Sequence, residues 1–182
     1  EKNFLGKGME SNISMQLGSE KVLGIISLSD PDFSDTGNSL KGSFFVSQYT
    51  YDNAGYDNKV IGSSLSKSYP AFKDVNFETG FLADYDTIDV QSGASNLIKS
   101  REGSYLTTKF FYNVINDKRN RKFQPTSGYT VGFGQGLATL VSEIPYVTNT
   151  VFGSFYKEFS EDFIGTIKYK VKSINAFNSK DV

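Results

Sequence analysis

The chain has 182 residues, with 19 Lys and Arg against 20 Asp and Glu for a formal charge of -1, and it contains no Cys and no His. That balance offers no basic stripe for nucleic acid. The missing Cys removes disulfides and thiolate metal sites, and the missing His removes the commonest general base, so an enzyme, a metal and a cofactor are all unexpected. Aromatics are 15% of the chain, as 16 Phe and 11 Tyr, while hydrophobic residues total only 38%. A transmembrane β-barrel needs that mixture, because only alternate residues face lipid and aromatic belts mark both rims.

In chain order the dominant signal is period two. Met9, Ser11, Ile13, Met15 and Leu17 alternate with Glu10, Asn12, Ser14 and Gln16. Segments 22–29, 40–50 and 59–68 read as strands, the first with ambiguous phase. Val75, Phe77, Thr79, Phe81, Ala83 and Tyr85 then oppose Asn76, Glu78, Gly80, Leu82 and Asp84. Leu106, Thr108, Phe110, Tyr112 and Val114 oppose Thr107, Lys109, Phe111 and Asn113, and Tyr129, Val131, Phe133 and Leu137 oppose Thr130, Gly132, Gly134 and Gly136. Segment 149–159 has ambiguous phase, and Ile167, Tyr169 and Val171 oppose Thr166, Lys168, Lys170 and Lys172. About nine strands of roughly 8 to 12 residues result, the length at which a tilted strand crosses a bilayer.

A soluble antiparallel sandwich or barrel would show the same alternation. The polar faces carry Lys, Glu, Asn and Gln among small residues, as a wet lumen tolerates, and Tyr or Phe recurs near strand ends at Tyr49, Tyr69, Tyr85, Tyr129 and Phe159. The connections also alternate. Segments 18–21, 51–58, 87–103 and 138–148, mostly longer and polar with 18–21 the short exception, are expected outside the cell; 30–39, 69–74, 116–127 and 160–162, more compact, are expected in the periplasm. A helical turn is expected within Ser92–Ser100.

The densest polar cluster runs from Asn116 to Gly128. Asp117 and Asn120 can bond turn backbone, Arg119 can pair with Asp117 or with carbonyls, Pro125 fixes φ, and Gly128 permits a conformation other residues resist. An ordinary charged hairpin turn would carry the same residues. Asp30-Pro31-Asp32-Phe33 reads as a turn with an aromatic anchor, where a calcium site is a lesser alternative. Gly132-Phe133-Gly134-Gln135-Gly136 lies within a strand pattern and lacks a following Lys, so close packing accounts for it better than a phosphate loop. Glu78 and Asp84 fall on the polar face with no partner evident, which leaves an enzyme as the remotest reading.

Several motifs together resemble the BamA family of bacterial outer-membrane assembly factors (bacterial surface antigens), in a form similar to alphaproteobacterial members. Asn3-Phe4-Leu5-Gly6-Lys7-Gly8 looks like the segment opening the first barrel strand, and Asp30-Pro31-Asp32-Phe33 like the turn after the second. Glu102-Gly103-Ser104-Tyr105-Leu106-Thr107, then Asp117-x-Arg119-Asn120 and Pro125-Thr126-Ser127-Gly128-Tyr129, look like the most characteristic part, although Lys118 and Gln124 stand where Thr and Asp are commoner. The resemblance implies an all-β fold, a partial antiparallel up-and-down transmembrane β-barrel with about nine strands of a sixteen-stranded barrel. Residues 1–182 would form a single barrel-domain fragment, without the periplasmic POTRA domains, the C-terminal strands and the later Arg-Gly-Phe/Tyr loop motif. A signal peptide is likewise expected upstream, since none is present at Glu1-Lys2-Asn3-Phe4.

By the same resemblance the protein sits in the bacterial outer membrane, and its partners are unfolded outer-membrane protein clients, accessory outer-membrane lipoproteins and the lipid bilayer. It would fold and insert clients by templating their strands at a lateral seam, with Asn3, Phe4, Leu5, Gly6, Gly8, Asn12 and Ser14 along the seam edge. Asp117, Arg119, Asn120, Pro125, Thr126 and Gly128 would build a periplasmic turn motif. The alternatives are a small passive outer-membrane barrel or porin, or a soluble β-barrel binding module.

Overall fold

The structure is a computed structural model that describes residues 8–138, 141–160 and 163–177. Nine strands follow one another: β1 (Glu10–Leu17), β2 (Lys21–Asp30), β3 (Ser39–Tyr51), β4 (Tyr56–Phe72), β5 (Val75–Val90), β6 (Gly103–Asp117), β7 (Gly128–Ala138), β8 (Tyr146–Ser160) and β9 (Phe163–Ala176). They form one sheet in the order β1 to β9, with every adjacent pair antiparallel. Among the described residues it is an open meander whose two terminal strands each have a single strand neighbour. No helix of the described residues is long and apolar enough to cross a membrane.

Register shows why the sheet takes this form. Following one row across the partners, Ile13 lies beside Ile26, Ile26 beside Phe44, and Phe44 beside Ser63. A parallel row joins Leu65 to Phe81 and Phe81 to Phe110, then Leu137 and Val147. The alternating apolar residues of all nine strands therefore share one face. They stay uncovered: Ile13 is 72% exposed, Phe81 61% and Ile167 70%. Only Ala94 and Ala138 are buried hydrophobic residues among those described. A soluble domain hides such a face against a second layer, whereas a barrel wall presents it to lipid.

The pairing also settles the two ambiguous phases. Val22, Ile26 and Leu28 of β2, and Val147, Val151 and Phe155 of β8, join the apolar face because their partners do. The strands are longer than alternation suggests, reaching 17 residues in β4 and 16 in β5. Their ends carry turn-forming and charged residues that blur the period but still pair.

Connections alternate between the two ends, as a meander requires, yet their lengths do not sort by end. Segments 31–38 and 118–127, expected to be compact, exceed 52–55, expected among the longer set, while 18–20 is short as expected. The helical turn falls at α1 (Asn96–Lys99), capped by the Ser95 side chain. The segment after β7 bends back onto β6. There the Thr108 N–H donates to Ser142 Oγ at 3.0 Å, and the Glu143 N–H to the Leu106 carbonyl at 3.2 Å, which satisfies the part of β6 that β7 does not reach.

Candidate functional site

Two regions carry the residues that the sequence singles out: the terminal strand β1 and the turn between β6 and β7. Asn3, Phe4, Leu5 and Gly6 lie outside the described residues. Gly8 precedes β1 at φ +74°. Asn12 and Ser14 stand on the polar face of β1, beside Ser27 and Ile25 of β2. β1 is the shortest strand, 8 residues, and it is exposed along nearly all of its length. Its polar-face row Glu10, Asn12, Ser14 and Gln16 is short or uncharged apart from Glu10. That leaves the main chain of an edge strand accessible to another strand.

The β6–β7 turn is built differently. Asp117 ends β6 and Arg119 follows it, so the guanidinium can fold back on the carboxylate. It does so bidentately: Nε reaches Oδ1 at 2.8 Å and Nη2 reaches Oδ2 at 2.6 Å. Asp117 Oδ1 also accepts from the Arg119 N–H at 3.2 Å and from Thr130 Oγ1 at 3.1 Å. The remaining guanidinium nitrogen donates to the Lys122 carbonyl at 3.3 Å. Hydrogen bonding to Asp117 raises the Arg119 pKa above its ordinary value, so this cation stays charged.

Asn120 closes the turn from the other side. Its Oδ1 accepts the N–H groups of Thr126 at 3.1 Å and Ser127 at 3.2 Å, and its Nδ2 donates to Thr126 Oγ1 at 2.8 Å. Pro125 sits inside this loop, after Gln124 at φ +47°. Gly128 has φ +94°, and a Cβ there would collide with the Lys118 carbonyl oxygen, so the position needs glycine for both conformation and space. Asp117, Arg119, Asn120, Thr126 and Gly128 are thus brought into one turn, with Asp117 and Arg119 in one bonded cluster and Asn120 and Thr126 in another.

Elsewhere the structure revises local expectations. Glu78 has a partner after all: Asn113 Nδ2 donates to its Oε2 at 2.9 Å across the β5–β6 pair. Asp84 has Lys109 as its diagonal neighbour on the polar face, since Lys109 pairs with Leu82. In the turn after β2, Asp30 accepts the Asp32 N–H at 3.1 Å and Asp32 accepts the Gly37 N–H at 2.6 Å. Those carboxylates cap backbone, and the Phe33 ring is 41% exposed while its N–H bonds Asn38. Phe33 therefore anchors through its main chain and not its ring.

The least legible feature is a set of aromatic rings laid over glycines. Phe45 covers Gly62, Phe111 covers Gly80, and Phe152 covers Gly132, each pair in direct register on neighbouring strands of the polar face. Tyr169 covers Gly153 in the same way on the apolar face. Alternation places each ring and each glycine on a face, but only strand register brings them together. The Gly132–Gly136 run shows part of the signal: Asn113 crowds Gly134, and Lys109 with Thr148 crowds Gly136.

With this geometry in view, known proteins can be compared. The Omp85 superfamily domain matches residues 3–182. The outer membrane protein assembly factor BamA of Neorickettsia risticii (strain Illinois) is 23% identical over 141 residues, 76% of this chain and 19% of that protein. The BamA of Nitratidesulfovibrio vulgaris is 23% identical over 129 residues, 70% of this chain and 16% of its own length. The crystal structure of BamA from Haemophilus ducreyi lacking POTRA domains 1–3 shares the fold with a TM-score of 0.75 at 19% identity, over 100% of this chain and 38% of that one. The chain spans less than a fifth of the curated relatives it matches. An open nine-stranded meander with one lipid-type face, matched along residues 3–182, places this chain in the Omp85 superfamily as a BamA-like member.

Proposed function

We propose that this chain is the first part of the barrel of an outer-membrane protein assembly factor, one that folds and inserts other barrel proteins by pairing their strands with β1. The outer membrane of bacteria is the home of its family and of this chain. The observation that carries the reading is the contrast in the sheet: among the described residues β1 is short, exposed and bounded by a single strand neighbour, while β4 to β8 each pair on both sides. An edge of this kind templates an incoming strand through main-chain hydrogen bonds, with no covalent step. Unfolded outer-membrane proteins are the proposed clients and accessory lipoproteins the proposed helpers, as the names of the relatives suggest. In the complete barrel of sixteen strands, β1 would border the seam, and Asn3 to Gly8 would let it open. The β6–β7 turn is proposed to face the periplasm as a rigid hairpin end.

The chain contains no Cys, so single cysteines report cleanly. Cysteines at Asn12 and Ser14 are expected to crosslink to a client's terminal strand in outer membranes, well above a cysteine at Ser47 in mid-sheet. Equal labelling at all three positions would remove the edge reading.

A further inference from the structure

One row interrupts the apolar face. Across the partners of β4 to β9 it runs Lys67, Thr79, Tyr112, Gln135, Asn149, Ser173, with a hydrogen-bonding side chain at every step. The rows beside it are apolar: Phe110, Leu137 and Val147 on one side, Val114, Phe133 and Val151 on the other. Its members also join one another. The Tyr112 hydroxyl donates to Gln135 Oε1 at 3.2 Å, and Gln135 Nε2 donates to Asn149 Oδ1 at 2.7 Å. These bonds use one of the two amide hydrogens of Gln135 and neither of those of Asn149. Hydrocarbon offers such groups no partner, so placing them on a lipid-facing wall costs free energy that an apolar row would not.

The row also crosses the wall obliquely. Strands tilt in a barrel, so a row perpendicular to them climbs from one rim towards the other. Lys67 and Thr79 lie near the strand ends joined by the 73–74 connection, whereas Asn149 and Ser173 lie near the opposite ends of β8 and β9. A contact patch for a neighbouring protein has no need to approach both rims; a path between the leaflets does. We infer that this row is a track for phospholipid headgroups, along which a lipid passes between leaflets with its headgroup on the wall and its acyl chains in the bilayer. Lys67 supplies a cation for the phosphate at one end, and the hydroxyl and amide hydrogens of the row supply successive donors to it. No covalent bond changes: the barrier is the desolvation of the headgroup, and the donors lower it. This activity is separate from strand capture at β1 and rests only on these strands forming a membrane-spanning wall.

The test reconstitutes the full-length protein in phosphatidylcholine vesicles, most of them holding a single barrel, with a trace of short-chain fluorescent phospholipid in both leaflets. Albumin added outside extracts the probe and is too large to enter through a barrel. Wild-type vesicles should yield nearly all of the probe, and protein-free vesicles only the outer half. Gln135→Leu with Asn149→Leu, which joins the two apolar rows across the gap, should slow extraction of the inner half by about tenfold. Gln48→Leu, on the apolar face of β3 and outside the row, should leave the rate unchanged. If the double variant gives no heat-modifiable folded band, Thr79→Val with Ser173→Ala interrupts the row near its two ends and should slow extraction severalfold. Wild-type vesicles that retain the inner half overturn the track, as does a folded row variant that matches the wild-type rate or Gln48→Leu slowing extraction equally. Extraction that appears only in vesicles holding two or more barrels assigns the row to contact between proteins, and likewise overturns it.

Discussion

The edge strand β1 and the β6–β7 hairpin follow the same alternating pattern and end up at opposite mechanical extremes. β1 has 8 residues, one strand neighbour and almost no buried side chain. β6 has 15 residues and neighbours on both sides, and the turn that follows it is held by one bidentate contact of Arg119 to Asp117 and three bonds through Asn120. Alternation decides which face a residue takes; stability comes from what the next strand and the turn add. A protein that must admit a foreign strand needs one edge weakly held and the rest of the wall firm.

The largest expected effect is at the firm end. Gly128→Val meets both a left-handed φ and the Lys118 carbonyl, so it should cost about 3 kcal/mol or more and abolish the heat-modifiable folded band on a gel. Retention of that band at wild-type intensity would mean the turn can relax, and the contrast with β1 would lose its basis. Next is Asp117→Ala, which strands Arg119 and Thr130 together. Asp117 and Arg119 side chains are only 18% and 23% exposed, and loss of these charge-assisted bonds should lower stability by about 2 kcal/mol, read as a shift in the urea midpoint. The double variant with Arg119→Ala should cost little more than Asp117→Ala alone, because both act through one clasp.

Much of this was legible from the sequence, for identifiable reasons. Ile13, Ile167 and Tyr169 declare their face because polar residues flank each of them, and a barrel wall depends on little else. Asp117, Arg119 and Asn120 declare a bonded turn because their donors and acceptors lie within a few residues of their targets. Glu78 did not declare Asn113, since that partner is 35 residues away and only register brings it across. The same limit hid the ring-over-glycine pairs. Loop length misled for another reason: Asp32 and Asn120 fold long connections into compact ones through side-chain bonds, so a count of residues does not reveal which end of the barrel a loop occupies.

Smaller effects test whether the interlocks, and not strand length alone, separate the middle of the wall from its edge. Gly132→Ala places a methyl group within the Phe152 ring and should cost about 1 to 3 kcal/mol, with Phe152→Leu in the same chain restoring part of the loss. If Gly132→Ala is neutral, the rings lie loosely and length alone explains the firmness of β7 and β8.

The smallest effect is expected at β1 itself. Asn12 is exposed, so Asn12→Thr should change stability by less than about 0.5 kcal/mol. The informative measurement there is hydrogen exchange in outer membranes. Amides of β1 should exchange much faster than those of β5, which is paired to β4 and β6 over most of its 16 residues. Addition of a client strand should slow exchange in β1 and leave β5 unchanged, because an added strand satisfies the edge and touches nothing deeper in the wall. Equal protection of β1 and β5 before any client is added would show an edge already closed, with no place for a strand to enter.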